Sequence, residues 1–345
     1  MSGTGIASAQ KNKKEPGKIW SVEKANEWYK THKWLTGANY IPANAINQLE
    51  MWQADTFSPD VIDKELGWAE GLGFNTLRVF LYSKAYKQDP EGFLKRVDQF
   101  LTITEKHKIT PMFVFFDDCW NKTSEIGKQP APKMGIHNSG WLQDPGDPAS
   151  KEAANFADLE VYVKAVLTRF ANDKRILLWD LYNEPTNGGL GRTSLPLLRK
   201  VFGWARAVNP CQPITVGQWI RNSPALNELI ATNSDVVTFH CYDELPKLMA
   251  YITELGQAQR PLICTEWLNR SRNSVPETIL PYFKQQRIGS LHWGLVNGKT
   301  QTHLPWGHRP GDPEPTVWQH DLYRPDRTPY RPAELDLFRT LINQA

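Results

Sequence analysis

The amino-acid sequence predicts an α/β fold, a single-domain (β/α)8 barrel (TIM barrel), and three observations predict it. From Trp20 onward, short apolar segments alternate with amphipathic stretches, and eight such segments are present. Most of them are continuous apolar runs, as expected for parallel strands that are buried on both faces. No linker or change in composition divides the chain, so residues 18–345 are predicted to form one domain.

The eight predicted strands are spread along the whole chain. In order, they are residues 34–39, 75–81, 110–116, 176–181, 214–218, 236–240, 262–266 and 290–294. A doubly wound open sheet is the alternative fold. It is disfavoured because residues 37–40, Gly-Ala-Asn-Tyr, lack the glycine spacing of a phosphate-binding loop after the first strand.

Two of the helices between the strands have clear start signals. Ser58-Pro59 and Asp89-Pro90 each place a capping side chain before a proline at the first helical position. Apolar residues then recur at helical spacing, and the first of these helices is predicted to end near the glycines of residues 71–73. Further helices are predicted near residues 21–31, 152–171, 194–207, 244–256, 276–286 and 332–343.

The composition is that of an ordinary globular protein with many aromatic residues. Among 345 residues, 40 Lys and Arg oppose 37 Asp and Glu, a formal net charge of +3. This balance gives no electrostatic reason to expect a nucleic-acid or anionic-membrane partner. The 14 tryptophans must lie either in the core or at a surface that binds a flat, apolar-faced ligand.

The cysteines and the N-terminus bear on the cellular compartment. Cys119, Cys211, Cys241 and Cys264 are widely spaced and are predicted to be buried free thiols. Residues 1–17 are either a disordered tail or the remnant of a signal peptide, because Ala-Ser-Ala has the form of a cleavage site. No apolar run reaches the roughly 18 residues needed to span a bilayer. We expect a secreted or periplasmic monomer, with a cytoplasmic location as the alternative.

Polar and aromatic residues at the carboxyl ends of the predicted strands are the candidate site residues. In a barrel of this kind, functional side chains collect at that end. In chain order, the candidates are Asn39, Arg78, Trp120, Asn183, Glu184, Trp219, His240, Tyr242, Glu266, Trp267 and Trp293. Asp117 and Asp118 follow the third strand, and binding of ligand hydroxyls, helix capping and simple solvation all remain open for them.

Glu184 follows the fourth predicted strand, and Glu266 ends the seventh. These two strands lie across the barrel mouth from one another, so both carboxyl groups can face one cavity. Arg78 lies inside an apolar strand and needs a carboxylate partner, which these two residues can supply. Paired carboxylates beside an arginine, an amide, a His-x-Tyr pair and tryptophans suit hydrolysis of a glycosidic bond by double displacement. One carboxyl must then be protonated and the other ionised, and their proximity promotes that difference.

Two segments resemble motifs of clan A glycoside hydrolases and, within that clan, of family 5, the cellulase-type enzymes. Residues 179–185, Trp-Asp-Leu-Tyr-Asn-Glu-Pro, resemble the Asn-Glu-Pro signature that ends strand four. Residues 261–267, Pro-Leu-Ile-Cys-Thr-Glu-Trp, resemble the nucleophile segment of strand seven. The resemblance covers residues 34–343. It is specific because the strand-two arginine, the strand-six His-x-Tyr and the strand-eight tryptophan accompany both motifs.

The resemblance implies a retaining β-glycoside hydrolase that uses no cofactor and no metal ion. Glu184 would be the general acid/base and Glu266 the nucleophile. Asn183 would bind the 2-hydroxyl of the sugar, Arg78 would keep Glu266 ionised, and Tyr242 would donate a hydrogen bond to Glu266. His240 would line the same subsite and contact either the sugar or the acid/base. The remaining candidates would contact the substrate: Trp293 as the floor under the sugar, and Asn39, Trp120, Trp219 and Trp267 around it.

The alternatives concern the substrate and the activity. Glucan, mannan and xylan are all substrates on this barrel, and the near-neutral charge favours a largely uncharged carbohydrate. A non-catalytic carbohydrate-binding protein is the alternative function, and a metal-dependent hydrolase is disfavoured by the absence of HxH and HExxH motifs. Many family members carry a histidine just after strand three, where this chain has residues 117–120, Asp-Asp-Cys-Trp. The long segments 121–148 and 297–323 are hypothesised to wall off one end of the cleft and favour exo-action.

Overall fold

Eight parallel strands form the predicted barrel in a computed structural model that describes residues 17–146 and 152–343. They are β1 (Thr36–Asn39), β2 (Thr76–Phe80), β3 (Met112–Asp117), β4 (Leu178–Asn183), β5 (Ile214–Thr215), β6 (Val237–His240), β7 (Leu262–Glu266) and β8 (Gly289–Trp293). The hydrogen-bonded order is β5-β4-β3-β2-β1-β8-β7-β6. The two ends meet where Gln218 N donates to Thr238 O at 2.9 Å and His240 N donates to Gln218 O at 2.9 Å, so the barrel is nearly closed.

Helices connect the strands and surround the barrel. They are α1 (Val22–Lys30), α2 (Gln48–Trp52), α3 (Pro59–Leu72), α4 (Ser83–Gln88), α5 (Pro90–Lys106), α6 (Phe156–Phe170), α7 (Leu195–Val208), α8 (Pro224–Ala231), α9 (Leu245–Leu255), α10 (Pro276–Gln285) and α11 (Pro332–Asn343). The prolines at the start of α3 and α5 confirm the predicted start signals. Only α5 has a side-chain cap, in which Asp89 accepts a hydrogen bond from Gly92 N, whereas Ser58 makes no such bond at the start of α3.

The strand predictions differ from the structure mainly at β5. The sequence predicted residues 214–218, but the ladder with β4 ends at Thr215. Beyond it the backbone leaves β4 and pairs with β6 through Gln218 alone. The short helices α2, α4 and α8 were not predicted, because five to eight residues are too few to show a clear helical periodicity.

The apolar residues divide between the helix layer and the bottom of the barrel. Every residue of β1, β2, β3, β4 and β6 is buried, as the continuous apolar runs predicted. At the N-terminal ends of the strands, Trp20 and Tyr29 pack with Leu35 and Met112 in a separate cluster. Helix α1 therefore covers the barrel bottom, which leaves the carboxyl ends of the strands as the open face.

The prediction that all four cysteines are buried free thiols is only partly correct. All four cysteines are free, and Cys241 and Cys264 are buried, but Cys211 is exposed and Cys119 is only partly buried. No helix in the described part of the chain is long and apolar enough to cross a membrane. The predicted tail or signal remnant lies outside the described residues except for Gly17.

Candidate active site

A cleft of about 760 Å³ opens at the carboxyl ends of the strands. Besides strand ends, its walls include the β3 loop (residues 118–146) and the β8 loop (residues 294–323). Of the residues predicted from the sequence, the cleft is lined by Trp120, Asn183, Glu184, Trp219, His240, Tyr242, Glu266 and Trp293. The barrel thus brings side chains from six strands or strand ends to one place, as its parallel topology requires.

Glu266 ends β7 and is held by two hydrogen-bond donors. Arg78 Nη1 donates to Oε1 at 2.7 Å, and Tyr242 Oη donates to Oε2 at 2.8 Å. Burial and the charge of Glu266 raise the pKa of the Tyr242 phenol well above its usual value, so the hydroxyl keeps its proton and remains a donor. Both contacts favour the ionised carboxylate, the form that a nucleophile needs.

Arg78 is fully buried on β2, and two carboxylates neutralise it. Its Nε and Nη2 donate to Asp180 Oδ2 at 2.9 and 2.8 Å, in addition to the Glu266 contact. Nη2 also donates to Asn183 Oδ1 at 2.8 Å, and Nη1 to Asn39 Oδ1 at 3.0 Å. These partners offset the cost of burying the guanidinium group. The sequence predicted the need for a carboxylate partner but missed Asp180, whose signal was an acidic residue inside a buried strand.

Glu184 lies on a turn immediately after β4. Its φ of 43° is in the left-handed region, and Asn187 N donates to Glu184 O at 3.0 Å to close the turn. Such a conformation costs a non-glycine residue roughly 1–3 kcal/mol and is typical of functional sites. His240 Nδ1 lies 2.7 Å from Glu184 Oε1. The register of β6 shifts between Phe239 and His240, and this irregularity places the ring between β4 and β7.

The second oxygen of Glu184 has donors that the sequence did not reveal. Cys119 Sγ donates to Oε2 at 3.3 Å, and Asn187 Nδ2 donates to the same oxygen. Burial, together with the charges of Asp117 and Glu184, raises the pKa of the Cys119 thiol well above its usual value. The thiol is therefore a neutral donor and not a thiolate nucleophile.

Burial and hydrogen bonding act in opposite directions on the two carboxyls. Burial raises the pKa of Glu184, but hydrogen bonds from His240, Cys119 and Asn187 outweigh it, so the pKa of Glu184 is lowered. Burial and the charge of Glu184 raise the pKa of Glu266, against the lowering by His240, Arg78 and Tyr242. In the empty cleft, the donors around Glu184 therefore stabilise its ionised form, and the two groups titrate as a pair.

The two carboxyls lie close together. Glu184, His240 and Glu266 each offer an atom within 4.8 Å of the others, and His240 Nδ1 is 3.6 Å from Glu266 Oε2. These residue types and this spacing also occur in metal sites. Arg78 already supplies a cation to Glu266. Chemically, the arrangement offers a held carboxylate and a second carboxyl beside it that can exchange a proton.

Aromatic side chains flank the pair on two sides. Trp293 at the end of β8 lies on the Glu266 side and packs edge-on against Trp141, with ring centroids 5.5 Å apart. Trp219 lies on the Glu184 side, where its Nε1 donates to Pro185 O at 3.0 Å. Both rings face the cleft, so the two flanks of the carboxyl pair offer the apolar platforms on which sugar rings stack.

Three of the candidate site residues do not line the cleft: Asn39 and Trp267, which were predicted to contact the substrate, and Arg78, which makes its predicted contact with Glu266. Arg78 is buried and contacts Glu266, and Asn39 Nδ2 donates to Thr265 O at 2.7 Å while its Oδ1 accepts from Arg78. Trp267 is fully buried and donates to Ser290 Oγ at 3.1 Å. Side chains alternate along a strand, so Glu266 faces the barrel mouth and its neighbour faces the helix layer.

Asp117 and Asp118 are part of the scaffold under the cleft. Asp117 accepts hydrogen bonds from Asn183 Nδ2 at 2.9 Å and from Trp141 Nε1 at 2.7 Å. Asp118 accepts from Tyr182 Oη at 2.8 Å. Both side chains are buried, which contradicts the interpretation that they are simply solvated. Through Asn183, Asp117 helps to hold the turn that carries Glu184.

A barrel whose mouth holds two adjacent carboxyls between aromatic platforms is typical of glycoside hydrolases. A family model described as cellulase (glycosyl hydrolase family 5) matches residues 69–299, more than half of the chain. The chain belongs to this family, and it is an enzyme that hydrolyses O-glycosyl bonds. No curated protein matches its sequence.

Solved structures show the same fold at low sequence identity. GH5_18 from Streptomyces cattleya in complex with GlcNAc is 13% identical, with a TM-score of 0.62 over 91% of this chain and 82% of that chain. The exo-beta-1,4-mannosidase Op5Man5 from Opitutaceae bacterium strain TAV5 is 18% identical, with a TM-score of 0.59 and coverage of 89% and 59%. The endo-beta-1,4-mannanase from Thermotoga petrophila is 14% identical, with a TM-score of 0.57 and coverage of 89% and 76%.

Proposed function

We propose that the protein is a retaining β-glycoside hydrolase in which Glu184 is the acid/base and Glu266 the nucleophile. The separation of the two carboxyls carries this proposal. Retaining enzymes hold their carboxyls about 5–5.5 Å apart, whereas inverting enzymes leave about 6.5–9.5 Å for a water molecule. One oxygen of Glu184 and one of Glu266 lie within 4.8 Å of each other, which is closer to the retaining than to the inverting spacing.

The contacts of each carboxyl support the proposed assignment of roles. Glu266 is bound by the guanidinium of Arg78, so it is the carboxylate that attacks the anomeric carbon. Glu184 has no guanidinium partner, and its close neighbours are His240 Nδ1 at 2.7 Å, the Cys119 thiol and the Asn187 amide. Glu184 then protonates the departing oxygen, and a glycosyl ester forms on Glu266. In the second step Glu184, now ionised, takes a proton from the water that hydrolyses the ester.

We propose β-1,4-linked mannosides as the substrate. The support comes from the structural neighbours, which include an exo-β-1,4-mannosidase and an endo-β-1,4-mannanase. A further neighbour is a Streptomyces cattleya GH5_18 variant in complex with Manβ1-4GlcNAc. Next to the carboxyl pair the cleft is lined by aromatic and neutral polar groups such as Trp293, Tyr242 and Asn183, which suits an uncharged sugar there, whereas charged side chains line its far part.

Two variants and one spectroscopic measurement test the proposal. Glu266→Ala should lower kcat on aryl β-mannosides by roughly 10³-fold or more, and Glu184→Ala should recover turnover of activated aryl glycosides when azide is added. Proton NMR of the first product should show the β-anomer. The exposed Glu228→Ala is the matched control and should retain wild-type rates.

Each part of the proposal has its own contradicting result. An α-anomer as first product would exclude the retaining mechanism. Near-wild-type hydrolysis by both Glu184→Ala and Glu266→Ala would exclude the assigned pair. A kcat/KM that is higher for aryl β-glucosides or β-xylosides than for β-mannosides would exclude mannose as the preferred sugar, while leaving the mechanism intact. Binding of oligosaccharides without any product would favour the non-catalytic alternative.

A further inference from the structure

The β3 loop and the β8 loop are joined to each other above the barrel. Asn138 N donates to Thr300 O at 2.7 Å, and His137 Nδ1 lies 2.7 Å from Leu304 O. Gln301 Nε2 donates to Lys133 O at 2.9 Å. The joined pair of loops, called the clasp below, passes over the side of the mouth that β1 and β2 occupy.

The loop after β1 supports the clasp from beneath. Asn47 Nδ2 donates to Gly140 O at 3.1 Å, and Gln48 Nε2 donates to Leu142 O at 2.9 Å. Lys299 N donates to Ala43 O at 2.9 Å. The residues that make these contacts from the β1 side are buried or partly buried. The clasp is thus an integral part of the fold.

Four rings on the clasp and the strand ends form a continuous fence at the edge of the cleft. Trp120 stacks on His137 with centroids 5.4 Å apart, and His137 lies 6.4 Å from Trp306. Trp306 packs edge-on against Tyr242 at 5.0 Å. Aromatic rings with centroids about 4.5–7 Å apart are in contact, so no sugar chain can pass between neighbouring members. His320, which also lines the cleft, contacts three of the rings at 5.5 to 5.8 Å.

The fence is made of neutral groups. Burial lowers the pKa of His137 to about 4, and it lowers the pKa of His320 well below its usual value. Because His137 is neutral and its Nδ1 faces a carbonyl oxygen, that nitrogen carries the proton and donates to Leu304 O. Trp120 and Trp306 keep 45% and 41% of their surface exposed, so each presents a ring to the cleft.

The position of the fence relative to Glu184 and Glu266 indicates in which direction a bound sugar chain cannot extend. The sugar attacked by Glu266 must lie on the Glu266 side, over Trp293, and its leaving group must lie on the Glu184 side, near Trp219. The line from β4 to β7 divides the mouth. Tyr242 follows β6 and joins the fence where its hydroxyl donates to Glu266. Trp120, His137 and Trp306 belong to the loops after β3 and β8 and lie with β8 on one side of that line. On the other side, the cleft continues past Ile220, Arg221, Asp243, Lys247 and Arg272.

We infer that the enzyme is exo-acting: it removes one sugar at a time from the non-reducing end, because the fence of Trp120, His137, Trp306 and Tyr242 closes the cleft behind the sugar that is attacked. A chain can extend only on the leaving-group side. This inference rests on the proposed function, since it assumes the assigned roles of Glu184 and Glu266. It concerns where the chain is cut and holds for whichever β-linked sugar the cleft accepts.

Product analysis on defined oligosaccharides tests the inference. β-1,4-linked manno-, gluco- and xylo-oligosaccharides of two to six units, labelled at the reducing end, are digested with the full chain and sampled at early times. We expect a monosaccharide and the labelled chain shortened by one unit as the first products. Oligosaccharides blocked at the non-reducing terminal unit should resist cleavage. Dyed, cross-linked polysaccharide should release no soluble fragments.

Removing fence rings should open the closed end. The double variant His137→Ala/Trp306→Ala should cleave the blocked oligosaccharides at least about tenfold faster than the wild-type chain does, and should release products of several lengths. Met134→Ala is the matched control, because it lies on the same loop, is 75% exposed and does not line the cleft. Its product pattern should equal that of the wild type. Circular dichroism establishes that each variant is folded.

Several outcomes would overturn the inference. One is the release of products of mixed length by the wild type at early times, or of a disaccharide as the first unlabelled product. Another is the release of single labelled units from the reducing end. The last is a folded double variant that still does not cleave blocked chains. In all of these cases aryl glycosides are still hydrolysed, so the proposed function stands. Loss of hydrolysis on every aryl glycoside and oligosaccharide would instead contradict the proposed function itself.

Discussion

At the scale of single residues, the most informative side chain is one whose role the sequence did not show. Cys119 occupies the segment after β3 where many family members have a histidine, and its Sγ lies 3.3 Å from Glu184 Oε2. A neutral thiol that donates to a carboxylate stabilises the ionised form and lowers its pKa. Cys119 is therefore a positioning residue that acts through Glu184, because it sets both the direction of the carboxyl and its affinity for a proton.

Replacing Cys119 should change the pH dependence of the reaction. Cys119→Ala removes one donor from Glu184, so the pKa of Glu184 rises, and Glu184 keeps the proton that it must deliver up to a higher pH. A hydrogen bond worth ~0.7 kcal/mol corresponds to about half a pH unit. If Glu184 is the proposed acid/base, the alkaline limb of the bell-shaped profile of kcat/KM on an aryl glycoside should therefore shift to higher pH by about that amount. Cys119→Ser, which keeps a donor, should leave the profile near that of the wild type.

The comparison of these two variants separates positioning from simple packing. A merely structural role would lower kcat or the amount of folded enzyme without moving either limb of the profile. An unchanged profile in Cys119→Ala, or a shift to lower pH, would contradict the role assigned to the thiol. Because the two carboxyls titrate as a pair, the profile reports apparent values of the pair, and the direction of its shift is the decisive observation.

At the scale of elements, close strand contacts fix the register that brings Arg78 beside Glu266. Gly37 on β1 pairs with Thr76 on β2, and a Cβ added at Gly37 would lie 1.8 Å from Thr76 O. This carbonyl oxygen belongs to the backbone, so it cannot move away without disturbing the hydrogen bonds between β1 and β2. The same ladder sets Asn39 opposite Arg78, so the register of β1 and β2 also orients the guanidinium group.

Gly37→Ala should destabilise the fold and weaken catalysis. We expect a loss of about 2 kcal/mol or more in the free energy of unfolding, because the new methyl group forces β1 away from β2. Urea denaturation followed by circular dichroism measures the loss. Gly203→Ala is the matched control, because nothing lies within 4 Å of the added atom and its position is inside α7. It should gain roughly 0.5–1 kcal/mol. Equal stability of the two variants would contradict the steric argument.

The strands, the longer helices and the position of the carboxyl pair could be predicted from the sequence, whereas the contacts between side chains could not. Glu184 and Glu266 were predictable because each follows or ends an apolar run, and a parallel barrel collects such ends at one mouth. Trp267 was assigned to the cleft although it directly follows Glu266, and the two-residue period of a strand would have placed it in the helix layer. Asp180 was missed because the partner of Arg78 depends on how three neighbouring strands align.

The joining of the two long loops lies beyond what local sequence patterns can show. The sequence predicted that residues 121–148 and 297–323 were long, and length alone favours a functional loop. The contacts between Asn138 and Thr300 and between Gln301 and Lys133 link positions more than 160 residues apart. No periodicity or capping signal reports such a contact, so the closed end of the cleft became visible only in three dimensions.

At the scale of the whole molecule, three buried acids make stability depend on pH. Burial raises the pKa of Glu65, Asp117 and Asp321 to about 7 each. An acid whose pKa is higher in the folded state than in the unfolded chain binds more protons when folded. Its contribution to stability is therefore complete below the unfolded pKa and is lost as the pH rises through the folded value. Between about pH 4.5 and pH 7 these three acids lower the free energy of unfolding, and they cause little further change above pH 8. The histidines His137 and His292, whose pKa burial lowers to about 4 and about 3, act in the opposite direction up to about pH 6.5. The decline that the acids cause is therefore read from an acid variant against the wild type.

Glu65 is the acid best suited to test this, because it lies on α3 outside the cleft and accepts from Tyr40 Oη at 2.9 Å. Glu65→Gln cannot ionise, so the decline between pH 5 and pH 8 should be smaller by on the order of 2–3 kcal/mol than in the wild type. Urea unfolding at a series of pH values measures the two slopes. Because the amide keeps an oxygen for the Tyr40 hydroxyl, the variant should fold. A slope equal to that of the wild type would mean that Glu65 ionises in the folded protein at its ordinary pKa, despite its burial between α3 and the loop after β1.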